Sequence, residues 1–448
     1  MSTFPYSLLL VPLLGACTIQ KDLLATGAPD STDDGAASEP AVTTGEMTAT
    51  DDPTATGDPT GAIDPMNTTG AELDTSTGDS FATTHDTEVD TEGCDTACLD
   101  EPSPCVEALA WDDGLIGMTA RRVTNCAECG LHETLETLLV RIDVGSNVMT
   151  VFAEAGIRSD GNAMVIAGDG AIFVGGHRSA IVEGDVEWQQ LHKFSPEGAL
   201  LWTLEPGGST ISDLALRGDE LFIAGRFGEL AGRAVTDGAL LWDIPQELGV
   251  SLTGIEVDGD GAFYVVGDTD FGPDQNPLHT MFIRKYAADH TLLWEDVHTP
   301  PLPTDYISAE GLALDEAGGV VIATREYVLG PGLDVTTFRK YDAAGALLWA
   351  ETYPEIGTGD ALLQLRARPG GGVIAVGRGG SEGGGLGGFT VALGPDGDVS
   401  WSDRKAGPQL KDQRNNDVVA VDDTLLVTGC AYHEVTVEQS SWLLELTP

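Results

Sequence analysis

Positive charge is what this chain most lacks. Its 448 residues carry 22 Lys and Arg against 72 Asp and Glu, a formal charge of −50. No Lys or Arg occurs between Asp22 and Ala120. Nucleic acid and anionic membrane surfaces need clustered cations, so neither is expected as an electrostatic partner. An acidic surface of this kind keeps an exported protein soluble, and charged partners would be cations or basic proteins. Long apolar runs are lacking too. The run from Leu8 to Ala16 is well short of the roughly 20 apolar residues that cross a bilayer. After Cys105 there is no apolar period of 3.5 or 3.6, which argues against a coiled coil or a helical solenoid.

What is present begins with a stretch that suits the core of an export signal, of a lipoprotein or of an ordinary cleaved kind, with a chance apolar N-terminus as the alternative. The sequence MSTFPYSLLLVPLLGAC joins a short apolar core to small residues and a cysteine. Its ending, Leu14-Gly15-Ala16-Cys17, resembles the lipobox of bacterial lipoproteins, although no Lys or Arg precedes it. The resemblance implies cleavage after residue 16 and acylation of Cys17, which would anchor the chain in a membrane. Thr18, where Asp would mark inner-membrane retention, points to the outer membrane. Residues 17–93 then form an acidic linker rich in Thr, Asp and Gly. It has too few large apolar residues to offset its ordering entropy and is expected to be a disordered stalk. A flexible coil of roughly 70 residues averages about 45 Å end to end.

Six cysteines remain beyond Cys17: Cys94, Cys98, Cys105, Cys126, Cys129 and Cys430. An even number in an exported chain suggests disulfides. Local pairs Cys94/Cys98 and Cys126/Cys129 would leave Cys105 and Cys430 to join the two ends of the remaining chain, but other pairings stay open. Residues 94–104 serve as a junction, and 105–448 as the folded domain.

Within that domain two phrases alternate. One is an apolar strand, an Asp/Gly turn and a second apolar strand, as in GIEVDGDGAFYVVG from Gly254 and GLALDEAGGVVIA from Gly311. The other runs KYDAAGALLW from Lys340, with relatives at Lys193, Arg284 and Leu230. Asp-Gly and Gly-Gly supply the positive φ of tight hairpins. Two hairpins make four antiparallel strands. The marks Trp111, Thr150, Trp202, Trp242, Trp294, Trp349 and Trp401 recur every 40 to 55 residues or about that, the size of a propeller blade. The expected fold is therefore an all-β propeller of four-stranded blades, seven in number with six as the alternative. CVEALAWDD from Cys105 is expected to complete the last blade, which lacks a fourth strand at the C-terminus. From about Leu138 onward the phrases resemble β-propeller repeats of bacterial secreted and cell-surface proteins. They also resemble the tryptophan-docking repeats of quinoprotein dehydrogenases and of the propeller lipoprotein in the outer-membrane barrel-assembly machinery.

The tryptophans (Trp111, Trp202, Trp242, Trp294, Trp349, Trp401) are expected to pack blade against blade, because burying an indole removes much apolar surface from water. Cys126-Ala-Glu-Cys129 reads as a disulfide loop, since a structural zinc needs four ligands. The calcium candidates are Asp258, Asp260, Asp268, Asp270 and Asp274, although Asp-Gly pairs are expected at hairpin turns in any case, and that is the preferred reading. The histidines are scattered over turns and strand ends, and no H-E-x-x-H zinc motif occurs. The Cys-Cys pair that many quinoprotein dehydrogenases hold against their cofactor is missing. No cofactor is expected, and catalysis is not favoured. The reading is a monomeric, non-catalytic binding or scaffolding propeller on a stalk at the outer membrane, with a protein or glycan ligand. A periplasmic envelope-assembly factor is one alternative, and a quinone-dependent or hydrolytic propeller enzyme is another.

Overall fold

The computed structural model describes residues 7–9 and, apart from loop segments, 99–446. Every regular element in it is a β-strand. Ser7–Leu9 form β1. Six antiparallel four-stranded blades follow, each joined strand to next strand. The first is β2 (Leu99–Trp111), β3 (Leu115–Val123), β4 (Thr134–Asp143) and β5 (Val148–Ile157). The second is β6 (Ser159–Ile166), β7 (Ile172–Arg178), β8 (Trp188–Phe194) and β9 (Leu200–Leu204). The third is β10 (Ile211–Arg217), β11 (Glu220–Gly225), β12 (Glu229–Ala234) and β13 (Leu240–Asp243). The fourth comprises β14 (Val250–Val257), β15 (Phe263–Thr269), β16 (Thr280–Tyr286) and β17 (Leu292–His298). The fifth comprises β18 (Tyr306–Leu314), β19 (Val320–Val328), β20 (Leu333–Tyr341) and β21 (Leu347–Thr352). The sixth is β22 (Ala361–Ala367), β23 (Val373–Gly380), β24 (Leu386–Leu393) and β25 (Val399–Lys405). A three-stranded meander ends the chain: β26 (Asp412–Val421), β27 (Thr424–His433) and β28 (Glu438–Leu446).

The apolar faces of these sheets are buried against one another. Phe222 of the third blade meets Phe263 of the fourth, Tyr264 of the fourth meets Ile322 of the fifth, and Phe338 of the fifth meets Phe389 of the sixth. The same packing continues from the sixth blade to the meander through Ile374 and Val427, and from the meander to the first blade through Leu426 and Ile142. The blades thus form a ring, with the first strand of each innermost.

The strand around Cys105 is placed differently from the sequence expectation. CVEALAWDD does not complete the last sheet. It lies in β2, the inner strand of its own blade, paired with β3 from Ala108↔Met118 to Trp111↔Leu115. The short turn through Gly114 joins them, and local hairpin closure wins over pairing with a distant strand. It is β1 that pairs with β28, Leu8 opposite Leu444. The meander still meets β2 side by side. Leu109 N donates to Asp417 Oδ2 at 2.8 Å, and Asn416 Nδ2 to Val106 O at 2.9 Å. Equivalent bonds join earlier inner strands: Ile255 N to Asp213 Oδ2 at 2.9 Å, and Asn162 Nδ2 to Ile211 O at 3.2 Å.

The repeated KYDAAGALLW phrase turns out to be a clasp between blades. The Trp294 indole and Lys285 Nζ both donate to Ala343 O, in the outer turn of the next blade, each at 3.2 Å. Trp349 and Lys340 likewise both reach Pro395 O, at 3.1 and 2.9 Å. Trp202 donates to Thr236 O at 3.2 Å and Lys193 to Val235 O at 2.8 Å. The glycine of each receiving turn has positive φ and lies against the incoming ring: Gly345 (φ +87) on Trp294 and Gly397 (φ +90) on Trp349. Only a residue without Cβ fits both demands.

The departures from the phrase follow the same logic. In the fourth blade His290 (φ 68) replaces the glycine, and its ring lies 4.3 Å from that of Trp242. The Trp242 indole donates to Glu220 of its own blade instead. In the first blade Arg141 donates to Pro196 O and Phe152 lies against Gly198, standing in for lysine and tryptophan. Trp401 packs toward the meander. Trp111 ends β2 and is 44% exposed, so it does not share the position of the other tryptophans; it belongs to an inner strand, whereas they lie on outer ones.

Candidate functional site

The inner strands carry a feature that the sequence did not announce. Each pairing of first with second strand breaks register at one corresponding point of the inner strand: at Val106/Ala108, Gly161/Ala163, Ile211/Asp213, Leu252/Gly254, Ala309/Gly311, Leu362/Gln364 and Asn415/Asp417, with two further breaks in β2 at Leu99/Pro102 and Pro102/Val106. Such bulges insert one extra residue and re-aim it, and they gather at barrel rims and sites. The extra residues all lie toward the end of the ring where inner strands begin, here called the upper face.

A cleft of about 490 Å³ opens on that face across the third to fifth blades. The bulge residues Ser212, Thr253 and Glu310 line it, from β10, β14 and β18. Ser251, Ser308 and Asp268 add polar groups, and Ser308 Oγ donates to Glu310 Oε1 at 2.8 Å. Two aromatic rings, one cation and one methyl group complete the described lining: Phe227, Tyr306, Arg226 and Ala309. Tyr306 is stacked on Tyr327, with centroids 5.0 Å apart and planes 19° from parallel. Phe227 is 73% exposed and sits at φ 63, a left-handed conformation that is unusual for a bulky residue. It belongs to the three-residue turn 226–228, closed by Gly228 N donating to Gly225 O at 3.2 Å.

Further along the axis four charged groups converge. Asp213 (β10), Glu256 (β14), Arg366 (β22) and Asp417 (β26) come from different sides of the ring. Arg366 lies 3.3 Å from Asp417 Oδ2. Burial raises the Asp213 pKa to about 6, against the pull of the Ile255 amide, Arg366 and the Leu214 amide. Burial, reinforced by Asp213, raises Glu256 to about 7. Burial opposes the charge on Arg366, but Asp417, Asp213 and Glu256 outweigh it and hold its pKa above the usual value. At the frame position shared by Glu256 and Arg366 the other inner strands hold uncharged residues: Ala110, Val165, Ala215, Ala313 and Val419. A charged residue at that point of the frame was the available signal in GIEV and LRAR.

Of the calcium candidates, the described Asp258 and Asp260 lie at one end of β15 and Asp268 at the other. Asp258 caps the lower turn, accepting from Asp260 N at 3.0 Å and Ala262 N at 2.9 Å. Asp270 and Asp274 are outside the described residues. Among the described residues no group of three or more His, Cys, Asp or Glu is placed to hold a metal ion. Cys17, Cys94, Cys98, Cys126 and Cys129 also lie outside the described residues. Cys430 is buried in β27. His192, expected at a turn or strand end, lies near the end of β8 and is buried. Its Nδ1 is 2.9 Å from Thr203 Oγ1, and burial lowers its pKa to about 4, which makes it a neutral packing group.

No family model matches this chain, and no curated protein matches it. Solved structures similar to it include BamB from Moraxella catarrhalis, at 10% identity and TM-score 0.42, covering 78% of this chain and 98% of that one. The WD40 β-propeller domain of Doa1 is 12% identical at TM-score 0.47, covering 79% and 96%. A protein of unknown function from Bacteroides caccae is 12% identical at TM-score 0.40, covering 62% and 89%.

Proposed function

We propose that this chain is a binding or scaffolding propeller of the bacterial cell envelope, carried on the linker 17–93 and held at the outer membrane by lipid on Cys17. The observation that supports the binding role is the upper cleft, where three successive bulges turn polar side chains into one recess. Clefts of some 300–1,000 Å³ with a few placed polar groups are the usual form of ligand sites. Catalysis has no part in this reading. Among the described residues no helix is long and apolar enough to cross a membrane, so the lipid is the anchor proposed. A bond between Cys105 and Cys430 belongs to the same reading: Val106 O accepts from Thr428 Oγ1 at 3.3 Å, which brings β2 beside the strand of Cys430. The meander is read as a seventh blade, whose fourth strand would be β1 only in a chain that keeps its first residues.

Protease shaving of intact cells tests the placement. Propeller peptides released without lysis are the expected result. Protection until the outer membrane is opened would overturn surface display and favour a periplasmic assembly role. Mass spectrometry of the mature N-terminus checks the anchor, the expected result being an acylated Cys17 and the opposing one an intact Met1 or an unmodified cysteine.

A further inference from the structure

The chemistry of the upper cleft narrows the ligand. Phe227 combines two costs that folding alone does not reward: an exposed ring, and a left-handed backbone worth roughly 1–2 kcal/mol of strain in a residue with a Cβ. The corresponding connection is longer in the other blades, for example 179–187 in the second and 270–279 in the fourth. The short turn holds the Phe227 ring in the lining of the cleft. Tyr306, fixed by its stack on Tyr327, supplies a second aromatic surface.

Among the described residues the rest of the lining is hydroxyl and carboxylate with the Arg226 guanidinium, and Ala309 is the single aliphatic side chain. These residues offer no socket for a Leu, Ile or Val anchor of a peptide. Two carboxylates face one guanidinium, and the whole chain is at −50, so anionic ligands are repelled. A neutral polyol suits both features. The C–H face of a sugar ring packs on an aromatic face. Its hydroxyls, each donor and acceptor at once, match Ser, Thr and carboxylate partners.

Resting on the binding role proposed above, we propose that this cleft binds a neutral oligosaccharide, with Phe227 as the stacking platform and Ser212, Thr253, Glu310 and Asp268 as its hydrogen-bonding set. The test is binding of the full chain to an array of neutral microbial and plant oligosaccharides, followed by calorimetry on the best of them, with decalysine as the cationic control. Saturable glycan binding is expected, weakened about tenfold or more by Phe227→Ala, a loss of about 1.4 kcal/mol, and largely kept by Phe227→Tyr. Glu310→Gln should weaken it several-fold. Circular dichroism confirms that these surface variants remain folded. Silence across the array, or glycan binding indifferent to Phe227→Ala, overturns the proposal. Saturable binding of decalysine alone would overturn the glycan and leave a binding module. Silence toward glycans and decalysine alike would count against both readings.

Discussion

The clasp between blades makes a sharp prediction about one methyl group. Gly345→Ala and Gly318→Ala both place a Cβ on a backbone at positive φ, +87 and +79 respectively. At Gly318 a new Cβ would meet nothing within 4 Å, whereas at Gly345 it would lie 2.7 Å from Trp294 Cδ2 and 2.9 Å from its Cγ. Backbone strain costs about 1–2 kcal/mol at either site, offset by roughly 0.4–1 kcal/mol because alanine restricts the unfolded chain. Gly318→Ala should therefore cost about 0.5 kcal/mol. At Gly345 the indole must move as well. Overpacking of that kind costs about 1–3 kcal/mol, and the bond from Trp294 to Ala343 O contributes about 0.5–1.5 kcal/mol more. A further loss of roughly 3 kcal/mol is expected. At about 2 °C per kcal/mol for a domain of this size, thermal melting should fall by about 1 °C for Gly318→Ala and about 7 °C for Gly345→Ala. Equal shifts would refute the idea that the glycine of the repeat is there to receive the preceding blade's tryptophan.

Asp417→Ala removes the acceptor of the buried Leu109 amide and the partner of Arg366, so it should cost about 2–4 kcal/mol. Denaturant unfolding measures the loss, and hydrogen exchange should show the Leu109 amide deprotected; an unchanged midpoint would mean that this contact does not help close the ring. Glu256 has its pKa raised from 4.5 to about 7 by burial and by Asp213. The fold thus favours its neutral form: it costs nothing below about pH 4.5, and stability is lost as pH rises through about 7. Glu256→Gln should match the parent at pH 4 and exceed it at pH 8 by about 1–2 kcal/mol, after allowing for water at this half-buried site; an identical difference at both pH values would contradict the assignment. At residue 227, Phe227→Gly should be more stable than Phe227→Ala by about 0.5–1 kcal/mol, the reverse of the usual order, because glycine alone relieves the positive φ. Alanine equal to or better than glycine would remove the case for strain at the cleft.

The sequence by itself determined the elements and their order. Hairpins are local: Asp-Gly and Gly-Gly turns between alternating apolar runs specify them within about a dozen residues, so the repeat predicted four-stranded blades that the structure contains. The Lys–Gly–Trp spacing was visible as well, but its meaning was not, because each group acts on the neighbouring blade and on a carbonyl that any residue carries. His290 in the glycine position and Phe152 in place of a tryptophan make sense only beside the rings and turns they meet. Closure was decided by the tertiary structure: once β2 is committed to its own hairpin, the ring is sealed by Asp417 and Asn416 reaching its edge. The bulges follow from the same cause, since inner strands crowding around an axis must bend. That bending brings Ser212, Thr253 and Glu310, some 40 to 60 residues apart or about that, into a single cleft beside Phe227. Geometry around a closed ring, rather than any local pattern, places them there.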